Sequence, residues 1–204
     1  MTVERLAAVL LATGACALAA GCFNEPEPAR KTVPAEARVY LSDRALADLH
    51  GSSAELAYGV GIDYLNLDRN QLTNVDEVAS LTGLKWLRLN GNRLAALPDL
   101  TALANLRRIY LKNNRFTAVP ETLKDLPNLT DIDLSGNPLR EIPDWLAQKA
   151  GLENLSFSRT LVTKLPDDLS AWMKLHSLQL GELKIDAAEM KRIRAALPDV
   201  AIVF

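Results

Sequence analysis

The fold is decided by the stretch Leu84-Lys85-Trp86-Leu87-Arg88-Leu89-Asn90-Gly91-Asn92-Arg93-Leu94, in which leucines alternate with polar and aromatic residues and an asparagine follows. Five further copies of this frame are present, and they start at Ile62, Leu106, Leu129, Leu152 and Leu175. Successive starts lie 22 or 23 residues apart. A fixed period of this length is the sequence signature of a solenoid, in which every turn is one structural repeat.

The frame resembles that of the leucine-rich repeat family, L-x-x-L-x-L-x-x-N-x-L, and the resemblance extends from Ile62 to Phe204. It implies an α/β fold, a right-handed leucine-rich-repeat solenoid of about six repeats. The resemblance also implies a concave parallel sheet, short helices on the convex side and a cap at each end. Such a fold mostly presents surfaces, so we expect a binding function rather than catalysis.

Within each repeat, the alternation predicts which side chains are buried. Leu87 and Leu89 face one side of a short strand, whereas Trp86, Arg88 and Asn90 face the other. Each buried leucine contributes about 1.5–3 kcal/mol, but one repeat cannot bury its own leucines, so the array must be cooperative. The asparagines that follow the strands are predicted to bond to main-chain groups and to be structural. These are Asn70, Asn92, Asn114 and Asn137.

Composition and the positions of proline, glycine and helix-capping residues divide the chain into five segments. These are a signal peptide (1–21), a proline-rich tether (22–38), an N-terminal cap (39–61), the repeats (62–185) and a C-terminal helix–strand cap (186–204). In the first cap, Ser42 is expected to begin a short helix that runs through Leu49 and ends at Gly51. In the second, Asp186 is expected to cap a helix from Ala187 to Leu197, ahead of a closing strand.

The N-terminus predicts a membrane anchor. Leu6 to Ala20 is apolar but shorter than the roughly 20 residues that span a bilayer, and it is typical of a secretory signal. Leu18-Ala19-Ala20-Gly21-Cys22 resembles a bacterial lipobox, although Ala19 stands where a larger aliphatic residue is usual. The chain as a whole thus resembles a bacterial leucine-rich-repeat lipoprotein, with lipid on Cys22. The alternative is ordinary signal cleavage with Cys22 incidental.

The tether and the residue after the cysteine predict where the chain resides. Pro26, Pro28 and Pro34 lie among charged residues, a composition that stays extended and would hold the folded part off a membrane. Phe23 is not the aspartate that retains lipoproteins at the inner membrane in enteric-type bacteria. We therefore expect a lipid-anchored protein of the cell envelope, at the outer membrane.

Several functions are disfavoured by what the sequence contains. The formal net charge is −2, so no strong field attracts nucleic acid, and no cysteine follows Cys22 to form a thiolate metal site or a nucleophile. Neither histidine is placed for a catalytic triad, and the Asp131–Asp133 pair alone is a poor cation site. We expect no enzyme, no cofactor and no bound metal.

The polar face of the sheet carries the candidate site. Adjacent strands lie about 4.8 Å apart, so residues at equivalent positions of neighbouring repeats touch. Five residues of the first three repeats then form one surface, here called the aromatic–arginine patch: Tyr64, Trp86, Arg88, Arg108 and Tyr110. Tryptophan, tyrosine and arginine dominate the binding energy of protein interfaces.

The patch predicts a non-catalytic module that binds a protein or peptide partner. The competing interpretation is that its contacts are internal, with Arg88 stacked on Trp86 or Tyr110 and Arg108 paired with Asp131, each worth about 0.5–1 kcal/mol. Two other functions remain open from the sequence. One is a structural envelope or cell-wall scaffold without a hot spot, and the other is a secreted, host-directed effector.

Overall fold

The computed structural model describes residues 37–52, 56 and 61–204, and its framework is one eight-stranded parallel sheet. The order of the strands in the sheet is their order in the chain. The strands are β1 (Ala37–Tyr40), β2 (Ile62–Asn66), β3 (Trp86–Arg88), β4 (Arg108–Tyr110), β5 (Asp131–Asp133), β6 (Asn154–Ser156), β7 (Ser177–Gln179) and β8 (Ala201–Val203). The predicted leucine-rich-repeat solenoid is confirmed, and the six repeats contribute β2 to β7.

The core is a single continuous column of apolar side chains. Leu65 of β2, Leu87 of β3 and Ile109 of β4 are paired across the sheet and have no solvent exposure. Leu67 and Leu89, two residues further along their turns, are equally buried. The predicted alternation is therefore correct, because it places one face of every strand inside and leaves the other face outside.

The four asparagines that follow the strands, here called the asparagine ladder, have the structural role that the sequence predicts. The amide nitrogen of Asn92 donates to the carbonyl oxygens of Leu67 and Leu89, each at 3.0 Å. Its amide oxygen accepts from the backbone N–H of Leu72 at 3.1 Å. The equivalent cross-turn bonds are made by Asn70, Asn114 and Asn137. Each asparagine thus joins two successive turns where the strand hydrogen bonds end.

The return segments contain little helix. Their regular elements are two 3₁₀ turns, Asp76–Ser80 and Glu121–Leu123, and the four-residue helix α1, Asp144–Ala147. Elsewhere in these segments, side chains provide hydrogen bonds in place of the backbone bonds of a helix. For example, the backbone N–H of Leu100 donates to the hydroxyl of Thr122 at 2.7 Å. The predicted convex helices are therefore single turns in some repeats and irregular chain in others.

The N-terminal segment differs from the prediction. No helix runs from Asp43 to Leu49, because Asp43 and Ala45 have positive φ angles of 59° and 54°. β1 instead begins at Ala37, inside the predicted tether, and pairs in parallel with β2. This segment covers the edge of the first repeat as a cap must, but it does so as a further strand of the sheet. Cys22, the predicted signal peptide and most of the tether lie outside the described residues.

The C-terminal end has the predicted helix and strand. Helix α2 spans Ala187–Ala196, and the side chain of Asp186 accepts from the backbone N–H of Glu189 at 2.8 Å. Ile193 and Leu197 are buried, and β8 then closes the sheet.

Helix α2 is fastened to the last return segment by an ion pair that the sequence did not reveal. Arg192 donates to both carboxylate oxygens of Glu189, at 2.7 and 2.8 Å. Glu189 also accepts the backbone N–H of Leu165 at 2.9 Å, and Arg192 donates to the carbonyl oxygens of Leu165 and Pro166. The pair therefore satisfies main-chain groups that the end of the repeat array would otherwise leave unpaired.

We expect Asn114→Ala to lower the free energy of unfolding by about 2 kcal/mol, because it leaves buried main-chain groups of Leu89, Leu94 and Leu111 without this partner. Urea unfolding monitored by circular dichroism measures the loss. The matched control is Asn128→Ala, since Asn128 makes one exposed bond to the Ala104 carbonyl. Equal losses in the two variants would contradict the structural role of the ladder.

We expect Glu189→Gln to reduce stability in a pH-dependent way. The hydrogen bonds from Arg192 hold the pKa of Glu189 below its ordinary value of 4.5, although burial acts in the opposite direction. The carboxylate therefore contributes fully above about pH 4.5, and its contribution disappears as the pH falls through the lowered pKa. The variant should be less stable by about 1–3 kcal/mol at neutral pH, and the difference should shrink below pH 4.

Thermal and urea unfolding between pH 3 and pH 7 measures this difference. Glu141→Gln is the control, because the exposed Glu141 side chain has no ion pair within the described residues. A Glu189→Gln difference that stays constant across this pH range would show that the carboxylate's charge does not fasten the helix.

Candidate partner-binding site

The five residues of the aromatic–arginine patch lie together on the exposed face of the sheet. Tyr64, Trp86 and Arg108 are paired across β2, β3 and β4, and Arg88 is paired with Tyr110 one position along. Trp86 and Tyr110 are half-buried by their neighbours on this face and do not enter the leucine core. The side-chain register predicted from the sequence is therefore confirmed, whereas the binding role of these residues stays a prediction.

The aromatic rings form a continuous row across the strands. The ring of Tyr64 meets Trp86 edge-on with centroids 5.1 Å apart, and Trp86 lies 6.0 Å from Tyr110. Tyr40 extends the row on β1, since its ring is 5.3 Å from that of Tyr64 and it is 55% exposed. Sequence reasoning missed Tyr40 because β1 was assigned to the tether and cap. The alternation of Val39 and Leu41 around it is the signal that could have found it.

Arg88 has both a stacking and an ion-pair partner inside the chain. Its guanidinium carbon lies 5.6 Å from the centre of the Tyr110 ring, and its Nη2 lies 2.6 Å from the Asp68 carboxylate. Asp68 is buried, and its other oxygen accepts the backbone N–H of Asn90 at 2.8 Å. Burial alone would lower the pKa of Arg88, but the hydrogen bond and charge of Asp68 outweigh it and raise that pKa. Arg88 is thus a structural residue as well as a surface one.

Arg108 is held over the tryptophan. Its guanidinium carbon lies 4.9 Å from the centre of the Trp86 ring, and its Nε lies 3.6 Å from a carboxylate oxygen of Asp131. Burial raises the pKa of Tyr110, with Asp131 acting in the same direction, so the phenol stays neutral. The internal contacts considered from the sequence are therefore present, with Tyr110 rather than Trp86 as the ring that Arg88 contacts.

These contacts fix the patch in one arrangement rather than removing it from the surface. Each cation–π contact contributes only about 0.5–1 kcal/mol at an exposed site, so a partner can compete for it. Side chains that are already ordered lose little further entropy on binding, which favours affinity.

From β5 to β7 the exposed face is polar, and none of these three strands carries an aromatic residue. Asp131 of β5 accepts from Asn154 at 2.9 Å, and Asp133 accepts from the backbone N–H of Ser135 at 2.9 Å. No group of three or more metal-ligating side chains occurs in the described part of the chain. Among residues 37–52, 56 and 61–204, no helix has the length and apolar character needed to cross a membrane.

Similarity to known proteins bears on the fold. Residues 82–139 match the family described as leucine rich repeat. Internalin C2 of Listeria monocytogenes strain 4b F2365 is 25% identical with a TM-score of 0.65, and the match covers 83% of this chain and 70% of that one. The internalin InlF of the same strain is 20% identical with a TM-score of 0.62.

The match to InlF covers 71% of this chain but 44% of the internalin, so this chain spans less than half the length of that protein. No curated protein matches the chain in sequence. The described part of the chain therefore has the leucine-rich-repeat fold, which commonly serves as a non-catalytic protein-interaction module, and residues 82–139 carry that family's sequence pattern.

Proposed function

We propose that the protein is a non-catalytic binding module of the cell envelope, held at a membrane by lipid on Cys22, and that its aromatic–arginine patch binds a protein or peptide. The observation that carries this proposal is the row of four adjoining aromatic rings flanked by two arginines on the open face. A tryptophan and three tyrosines clustered on an otherwise polar sheet present the residue types that form interface hot spots.

The location of the patch supports this function. The buried leucines already form a continuous core, so the rings on the outer face are not needed to hold the turns together. Contiguous apolar surface rimmed by polar residues marks an interaction site on a soluble protein. Arg88 and Arg108 provide polar groups beside the rings, and the buried Asp68 and Asp131 carboxylates hold these arginines in place.

The tether supports the proposed location. A lipidated cysteine followed by a proline-rich spacer would place the patch away from the membrane surface, where a partner in the envelope can reach it. A lipid anchor of this kind requires no membrane-spanning helix.

We expect Trp86→Ala combined with Tyr110→Ala to reduce partner capture at least about tenfold, because it removes two adjacent rings of the patch. Arg88 is left intact because its loss would leave the buried Asp68 carboxylate unpaired. The measurement is in-cell cross-linking followed by affinity purification and quantitative mass spectrometry, with circular dichroism to establish that the variant is folded.

Trp145→Ala is the matched control for this experiment. Trp145 is also half-buried but lies in α1, on a return segment, where its indole N–H donates to Glu121 at 3.2 Å. We expect at least one protein to be captured by the wild type and by the control but lost from the double variant. A folded double variant with an unchanged set of captured proteins would remove the patch from consideration, and a diffuse set in every sample would favour the scaffold.

We expect Cys22→Ala to abolish fatty-acid labelling and to release the protein from the membrane fraction, because Cys22 is the proposed acylation site. Metabolic labelling with an alkynyl fatty acid and fractionation of cells measures both effects. Cys16→Ala is the control and should leave label and location unchanged. Absence of label from the wild type would overturn the lipid anchor on Cys22 and favour ordinary signal cleavage.

A further inference from the structure

A second feature of the same face is a cavity of about 240 Å³ beside the patch, at the ends where the strands begin. Two rings of the patch, Tyr64 and Trp86, line it. Its charged lining consists of Arg38, Asp63, Lys85, Arg107 and Arg108. Three of these cations, Arg38, Lys85 and Arg107, are outside the patch and were not candidates from the sequence.

The sheet brings these side chains together by backbone pairing. Arg38 of β1 lies opposite Tyr64 of β2. Lys85 and Arg107 precede β3 and β4, and they are neighbours because the backbone N–H of Arg107 donates to the Lys85 carbonyl at 2.9 Å. A cationic group is therefore present on, or directly before, three of four consecutive strands.

The cavity has an excess of positive charge. Its lining holds four cations and a single carboxylate, Asp63, which lies 3.9 Å from the Lys85 ammonium. Arg108 has an ion-pair partner outside this lining, the Asp131 carboxylate at 3.6 Å. Within the described residues, Arg38 and Arg107 make no ion pair. A concave site lined by uncompensated cations attracts anions, although the chain as a whole carries a net charge of −2.

Two polar side-chain atoms of the lining residues have no hydrogen-bond partner in the described protein, the indole Nε1 of Trp86, which is a donor, and Oδ1 of Asp63, which is an acceptor. Both atoms are buried from solvent. A buried donor without a partner is uncommon and calls for an explanation. An ionised carboxylate only accepts hydrogen bonds, so it suits the guanidinium groups of Arg38, Arg107 and Arg108 in the lining.

We propose that this cavity receives a side-chain carboxylate of the partner, so that the bound segment is an acidic peptide in which Asp or Glu adjoins an apolar side chain. The proposal rests on the proposed function of the patch. The cavity supplies the cations and the adjoining rings supply the apolar contact, and neighbouring residues of one peptide carry both complementary groups. The anion fixes the position of the peptide, and the rings provide most of the buried area.

The test is selection of a displayed library of random twelve-residue peptides on the full-length protein. The expected result is enrichment of peptides that carry Asp or Glu next to an aromatic or aliphatic residue. The best peptide is then synthesised with a fluorescent label, together with a copy in which its acidic residues are replaced by the matching amides. Fluorescence anisotropy should show binding at least about tenfold weaker for the amide copy, and a loss of affinity on raising the salt concentration.

The variant Arg38→Gln with Arg107→Gln should weaken the acidic peptide at least about tenfold and leave the amide copy unaffected. Arg115→Gln with Arg140→Gln is the charge-matched control, because both side chains are exposed and neither lines the cavity. The control should bind the acidic peptide as the wild type does.

The outcomes separate the two proposals. Enrichment of apolar peptides without acidic residues, lost in the Trp86→Ala, Tyr110→Ala variant, would overturn the carboxylate inference and leave the patch in place. Loss of acidic-peptide binding in the cavity variant but not in that ring variant would overturn the role of the rings. Binding of polygalacturonate with no enrichment of acidic peptides would overturn the inference in favour of an acidic polysaccharide.

Discussion

The structure depends on one constraint: no single turn of this chain can bury its own apolar side chains or provide hydrogen-bond partners for its own main-chain polar groups. The leucines of one turn are covered by those of the next, and the amide of each ladder asparagine bonds to two turns at once. Stability therefore arises from the interfaces between turns, as is general for repeat proteins. At the two ends of the repeats this arrangement lacks a neighbour, and β1 and the Glu189–Arg192 pair supply what is missing there.

The same constraint leaves one face of the sheet free for recognition. Because the side chains at the leucine positions form the core, the residue types on the other face can vary without loss of the core. Parallel in-register pairing then converts residues 22 or 23 positions apart in sequence into contacts between neighbouring side chains. Tyr64, Trp86 and Arg108 form one surface for this reason, although none of them is close to another in the sequence.

The sequence was sufficient to predict whatever follows from the repeat. The solenoid, the buried alternation, the role of the asparagines and the grouping of the five patch residues all depend on period and register alone. At the N-terminal end, a strand outside the period was missed. β1 lies 26 residues before its partner positions in β2, as Val39 and Leu65 show, so it escaped the 22–23-residue frame and Tyr40 with it.

Other features could not be predicted because they depend on side-chain conformation. The pairing of Arg88 with the buried Asp68 joins positions in adjacent repeats, and so does the placement of Arg108 over Trp86. Periodicity makes these residues neighbours, but it does not decide which partner a flexible arginine selects. The Glu189–Arg192 pair is similar: its spacing of three residues on a helix is visible, whereas its bonds to Leu165 and Pro166 require the packed end of the array.

The charges of the exposed face are divided in a way that bears on how a partner would be oriented. Arg38 and Arg107 carry the excess positive charge at β1 to β4, whereas Asp131 and Asp133 lie on β5. The two aspartates already accept hydrogen bonds from their own neighbours, so they repel an anion more readily than they recruit a cation. An acidic segment crossing this face would be attracted at one end and repelled at the other. Attraction and repulsion along a single line of strands would fix both its position and its direction, which the rings alone, being tolerant of sequence, could not do.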